Sequence, residues 1–146
     1  MKTACRLLQL VFLAALTMFI FGGCRAQTTT MSNPLPTTTL DLDYADFPEL
    51  LIDNPVLQLS MPEDDYYIYF YGRYCGHCLE IKNLVLTTIY WLEVDKVYIV
   101  IVDGIEDVNA SISVTATPAM VHIVDHAVAT VHQNKTNVLN LLPTLE

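Results

Sequence analysis

Basic residues are few in this 146-residue chain: seven Lys and Arg stand against sixteen Asp and Glu, a net charge of −9. That balance argues against nucleic-acid binding and against electrostatic docking to anionic lipid, because both need positive charge opposite phosphate. Cysteine is scarce as well. The four are Cys5, Cys24, Cys75 and Cys78, and only the last two fall where the chain reads as folded. A framework of structural disulfides is therefore not available. A second Cys pair is also missing. Structural zinc wants four ligands, so Cys75-Gly76-His77-Cys78 would need help from His122, His126 or His132, which lie on a predicted hairpin. No internal repeat is visible, and no apolar run reaches the roughly 20 residues that span a bilayer.

What is present divides into three parts. Residues 1–23 read as a signal peptide: Lys2 and Arg6 form a positive start, Leu7 to Phe21 is a run of 15 mostly apolar residues, and Gly22-Gly23 supplies small residues for cleavage. The alternative is an uncleaved membrane anchor. Removing the leader leaves five basic against sixteen acidic residues, a charge of −11. Residues 24–42 read as a flexible tether, rich in Thr, Ser and Pro and without periodicity. Residues 43–146 read as the folded domain. Two N-x-S/T sequons, at Asn109 and Asn134, matter only in a eukaryotic secretory pathway and are taken as chance.

Within the domain, Asn54-Pro55 reads as a cap and first turn of a short helix running to about Ser60. Tyr66 to Tyr71 is a continuous β-favouring run, expected as a central strand buried on both faces. A helix is expected from about Gly76 to Leu92, with Ile81, Leu84, Val85, Ile89, Trp91 and Leu92 in one apolar arc and Cys78 at its edge. Val97 to Val102 is the natural parallel neighbour of the first strand. Asp103 to Ser113 reads as a loop. Ala119–Val124 and Ala127–His132 read as a hairpin turning at Asp125-His126, and Thr136 as the cap of a last helix over 137–142.

Two cysteines three positions apart at a helix start can close a small disulfide ring. The unpaired N–H groups and partial positive charge of the helix N-terminus favour a thiolate there. The wheel places Cys75 at the exposed start and Cys78 partly inside, so Cys75 is expected to attack and Cys78 to resolve the mixed disulfide. His77 can stabilise the Cys75 thiolate by charge or as a donor. Arg73 either adds local positive charge or is a solvated turn residue.

The run Phe70-Tyr71-Gly72-Arg73-Tyr74-Cys75-Gly76-His77-Cys78, with Thr117-Pro118-Ala119 forty residues after Cys78, resembles the thioredoxin superfamily. Cys-Gly-His-Cys is similar to the active-site tetrapeptide of protein disulfide isomerases. The resemblance covers roughly residues 45–146. It implies an α/β thioredoxin-like fold, a central mixed β-sheet flanked by helices. It also implies catalytic roles for Cys75, Cys78, His77 and a cis Pro118, with Thr117, Tyr74 and Gly76 at the substrate. No metal is implied, and no cofactor beyond the redox-active Cys75–Cys78 disulfide itself. Cys24, after Phe21-Gly22-Gly23, resembles a bacterial lipobox cysteine, except that Phe21 stands where Leu is favoured. The alternative is an incidental cysteine after a plain export signal.

Three positions depart from the family pattern. Tyr74 stands where Trp is usual. Tyr69 stands where thioredoxins carry a buried acid that relays the proton of the second cysteine, leaving Glu80 or water for that task. Asn83 replaces a helix-kinking proline. The function expected is a thiol–disulfide oxidoreductase of the protein disulfide reductase or isomerase type, acting on exported proteins. It would be monomeric, extracytoplasmic and lipid-anchored, or alternatively secreted, with protein thiol or disulfide substrates and a redox partner protein. The competing expectation is a non-catalytic thioredoxin-fold adaptor or chaperone lipoprotein.

Overall fold

A computed structural model describes residues 34–92 and 96–145. The predicted signal peptide, Cys24 and the first part of the tether lie outside the described residues.

The Tyr- and Ile-rich run forms β1 (Asp65–Tyr71), and α1 (Gly76–Leu92) follows it after a short turn. β2 (Val97–Ile101), β3 (Ala119–Val124) and β4 (Ala127–Gln133) complete a four-stranded sheet in the order β2-β1-β3-β4. β1 and β2 run parallel, while β3 is antiparallel to both β1 and β4. The sheet is therefore mixed, and β1 is central and almost wholly buried. Asp125 and His126 both have positive φ, as a tight two-residue hairpin turn requires. No helix among the described residues is long and apolar enough to cross a membrane.

The two faces of the sheet bury separate clusters. On one, Tyr69, Tyr71, Ile99 and Met120 pack under Cys78, Ile81, Val85, Leu86 and Ile89 of α1 and under Val138 of α2 (Lys135–Leu141). On the other, Tyr66, Ile68, Phe70, Val100 and Val121 pack under Ile52, Ile112 and the flanks of a 3-10 turn, Pro55–Leu59. Gln58 of that turn is fully buried. Its Nε2 donates to the Asp107 carbonyl (2.6 Å) and its Oε1 accepts from the Asn109 N–H (2.8 Å), so one side chain stitches the turn to the loop after β2.

Several expectations need correcting. The folded part starts earlier than residue 43: Leu35 and Leu42 pack on the helix-side core, and the Leu40 N–H donates to Thr87 Oγ1 at 2.8 Å. The Thr- and Pro-rich composition hid two leucines that find apolar neighbours only in the folded chain. Trp91, expected inside the apolar arc, is 63 % exposed, because the core ends near Ile89. The short helix expected at Asn54 is present, as a 3-10 helix over Pro55–Leu59 with the cap as expected: Asn54 Oδ1 accepts from the Val56 N–H. The last helix begins two residues early, capped by Asn134 rather than Thr136. Asn134 carries a φ of 78°, a conformation Asn tolerates better than most residues.

Candidate functional site: the Cys75–Cys78 disulfide

Cys75 and Cys78 are joined as a disulfide where β1 turns into α1. Cys75 is the cap residue of the helix. Its carbonyl accepts from the N–H groups of Cys78 and Leu79, and its Sγ accepts from the Cys78 N–H at 3.1 Å. A sulfur thus takes the place of the oxygen that usually caps a helix. The same N–H, with the helix dipole behind it, is positioned to stabilise negative charge on Cys75 once the disulfide opens. Cys75 is half-buried, whereas Cys78 is 1 % exposed within the helix-side core. That asymmetry was expected, although Cys78 is more deeply buried than the helical wheel implied.

The second predicted landmark meets the first. The Thr117–Pro118 bond is cis, and the Thr117 carbonyl lies 3.3 Å from Cys75 Sγ. Gly72 allows this approach: a Cβ there would come within 3.1 Å of Thr117 Oγ1 and 3.4 Å of Cys75 Cβ. A hollow of about 550 Å³, lined by Gly72, Arg73, Tyr74, Cys75 and Thr117, opens at the sulfur. Tyr74 is 97 % exposed at its rim. Gly76 is exposed too, and a Cβ there would meet nothing within 4 Å.

Sequence reasoning missed the residue that fixes this loop. Gln133, at the end of β4, accepts on Oε1 from the Thr115 N–H, the Thr115 hydroxyl and the Ala116 N–H, at 2.9 to 3.1 Å. The Asn134 N–H donates to the Pro118 carbonyl at 2.9 Å. A single Gln closing a strand carries no motif, so nothing in the sequence marks it.

Around the pair, charges are locally compensated. Arg73 Nε donates to Asp103 Oδ2 at 2.9 Å. His77 Nδ1 lies 3.5 Å from Glu80 Oε2, and the same carboxylate accepts from Lys135 Nζ. Lys135 first, and His77 after it, hold the Glu80 carboxyl below the usual carboxylate range. Glu80 is thus committed at the surface.

Under Cys78 the chain places tyrosines. Tyr44, from a 3-10 turn before β1, stacks on Tyr71 with ring centroids 3.5 Å apart. The Tyr44 and Tyr69 hydroxyls are buried and have no partner at ordinary hydrogen-bond geometry, although the two phenols are close enough to influence each other electrostatically. Burial pushes both phenols well above their normal titration range, and pushes Tyr71 up to about 12. Tyr69 therefore stays neutral and cannot accept a proton as a carboxylate would. Beside Tyr44, Asp43 pairs with Lys82 at 3.1 Å, at the mouth of a hollow of about 390 Å³ that reaches Cys78. Lys82, by its hydrogen bond, keeps the Asp43 carboxyl below its usual range.

The histidines weighed as metal ligands are elsewhere employed. His122 Nε2 contacts Asp65 Oδ1 at 2.7 Å, and His126 pairs with Asp64. Among the described residues no three His, Cys, Asp or Glu side chains gather as a metal site.

No protein-family model matches this chain, and no curated protein matches it. Solved structures do. One, solved for the thiol-resolving mechanism of a yeast mitochondrial 1-Cys peroxiredoxin with the glutathione and thioredoxin systems, superposes with a TM-score of 0.52. It is 22 % identical and is matched over 65 % of this chain and 93 % of that one. Oxidised mitochondrial thioredoxin 3 from Saccharomyces cerevisiae gives a TM-score of 0.50 at 24 % identity, over the same shares of the two chains. The chain has a thioredoxin-like α/β fold. It carries a Cys-x-x-Cys disulfide at the start of α1.

Proposed function

We propose that the protein is a thiol–disulfide oxidoreductase acting on exported proteins. The observation that carries this is the cap: Cys75 Sγ accepts the Cys78 N–H at the helix N-terminus, half-exposed beside a buried partner. In the reducing direction, the Cys75 thiolate attacks a client disulfide and expels one client thiolate. The Cys78 thiolate then attacks Cys75 Sγ, releases the second client thiolate and closes the Cys75–Cys78 bond. The client gains two electrons and the protein loses two. The oxidising direction runs these steps backwards. Through the cis Thr117–Pro118 bond, the backbone of Thr117 is offered to an extended client segment, with Tyr74 and Gly76 flanking it. His77 supports the Cys75 thiolate. A separate redox partner protein resets the pair, and the domain works as a monomer.

Cys24 and the leader support an extracytoplasmic, lipid-anchored location, with secretion as the alternative. Membrane contact would then come through the N-terminal lipid or leader.

Loss of turnover in Cys75→Ser, together with covalent client complexes trapped by Cys78→Ser, is the expected result. Activity retained in Cys75→Ser would refute the proposal. The potential of the pair, measured against glutathione buffers, sets direction: roughly −180 mV favours donating or reshuffling disulfides, and roughly −270 mV favours reduction.

One observation favours a second reading, a non-catalytic adaptor. Tyr69, a neutral buried phenol, occupies the position where thioredoxins carry a proton-relaying acid. A Cys75→Ser/Cys78→Ser chain that keeps its biological role would establish that reading instead.

A further inference from the structure

The opposite end of α1 from the disulfide presents an exposed aromatic pair. Tyr90 is 53 % exposed and Trp91 63 % exposed, with ring centroids 5.8 Å apart in an edge-to-face arrangement. Two adjacent aromatic rings left in water forgo substantial apolar burial. The first described residues of the chain run past this end. Pro34, Leu35 and Thr38 line a cavity of about 410 Å³ together with Trp91 and Leu142. Nine residues separate Cys24 from Pro34. Even fully extended, ten Cα steps reach no further than roughly 35 Å. A chain held at Cys24 therefore joins the domain at the Trp91 corner, within about one domain diameter of whatever surface holds it.

We propose that the Tyr90–Trp91 end of α1 is the face this domain lays against a lipid bilayer. The proposal rests on the anchored reading above and adds an orientation to it. Tyr and Trp suit the headgroup zone, where one edge of the ring is apolar and the other wet. The excess of acidic residues disfavours attraction to anionic headgroups, so the contact is aromatic and insensitive to salt. The helix of 17 residues then holds the disulfide about 25 Å from the contact, turned toward soluble clients.

Trp91 is the only tryptophan, so fluorescence excited at wavelengths longer than the tyrosine band reports on this corner alone. The full chain, processed in its host and purified from it, is incorporated into phosphatidylcholine vesicles. Blue-shifted Trp91 emission and several-fold stronger quenching by acyl-chain-brominated lipid than by aqueous acrylamide are expected, unchanged at high salt. Emission like that of the same chain without vesicles would overturn the proposal. The intact mass of the same preparation shows whether Cys24 carries lipid. If it does not, anchoring through Cys24 fails by itself. The chain from Cys24 onward, its only free thiol coupled to a maleimide lipid, then tests the orientation alone. An unshifted Trp91 in that conjugate overturns the proposal.

Discussion

One face of the sheet lies under α1 and α2; the other lies under a five-residue 3-10 turn and the loop that follows β2. The helical cover satisfies its own backbone, so what it contributes across the interface is side-chain packing, from Ile81, Val85, Leu86 and Ile89. The loop cover bonds itself only in short local turns, and Gln58, Asn109 and the Tyr66 hydroxyl tie its two segments to each other and to β1. The chemistry sits on the helical side, where the start of α1 offers a free N–H group and the helix dipole to a sulfur. A face held by packing and a face held by polar stitches should fail differently.

The largest loss is expected on the helical face. Leu86 is fully buried, so Leu86→Ala should cost about 2–5 kcal/mol in urea unfolding and slow disulfide exchange with it. On the loop face, Gln58→Leu keeps the bulk but strands the Asp107 carbonyl and the Asn109 N–H. A cost of about 1–3 kcal/mol is expected, with faster amide exchange over 105–114 and an unchanged potential of the Cys75–Cys78 pair. An equal disturbance of that potential would dissolve the distinction between the faces.

Tyr69→Phe sharpens the comparison in the other direction. Removing a buried hydroxyl without an ordinary partner is expected to leave stability unchanged or raise it by up to about 1 kcal/mol. The pH dependence follows from the same burial. The phenols of Tyr44, Tyr69 and Tyr71 titrate higher in the folded chain than the ordinary 10, so their neutral forms stabilise the fold fully below pH 10. That stability is lost as pH rises past 10 and, for Tyr71, through about 12. Tyrosinate absorbance should therefore rise together with unfolding, and the Tyr69→Phe chain should resist alkali better.

The smallest effect belongs to the exposed pair linking α1 to α2. In Lys135→Met, the Glu80 carboxyl should titrate back toward its ordinary value of 4.5, followed by NMR, with no measurable change in the urea midpoint. In the unaltered chain this ion pair contributes above the ordinary carboxylate range and is lost as pH falls through the lowered value.

The strands, the long helix and the two site landmarks were legible in the sequence because each has a local signature. β1 and β2 are unbroken β-favouring runs, α1 follows a Cys-x-x-Cys, and a two-residue turn joins the last strands. Trp91 was misread because a helical wheel records direction around an axis and not where the neighbouring core ends. Residues 34–42 were misread because Leu35, Leu40 and Leu42 sit among Thr and Pro, and their partners, such as Thr87, are distant in sequence.

By itself the sequence determined which residues could react: a spacing of three puts two sulfurs on one turn of any helix that starts there. Only the tertiary structure decided what surrounds them. It set the Thr117 carbonyl against Cys75, Gln133 beneath the loop that carries Pro118, and neutral phenols under Cys78. Those neighbours are separated from the cysteines by up to some dozens of residues. Their placement follows from the strand order β2-β1-β3-β4 and from close packing, neither of which any local stretch of chain encodes.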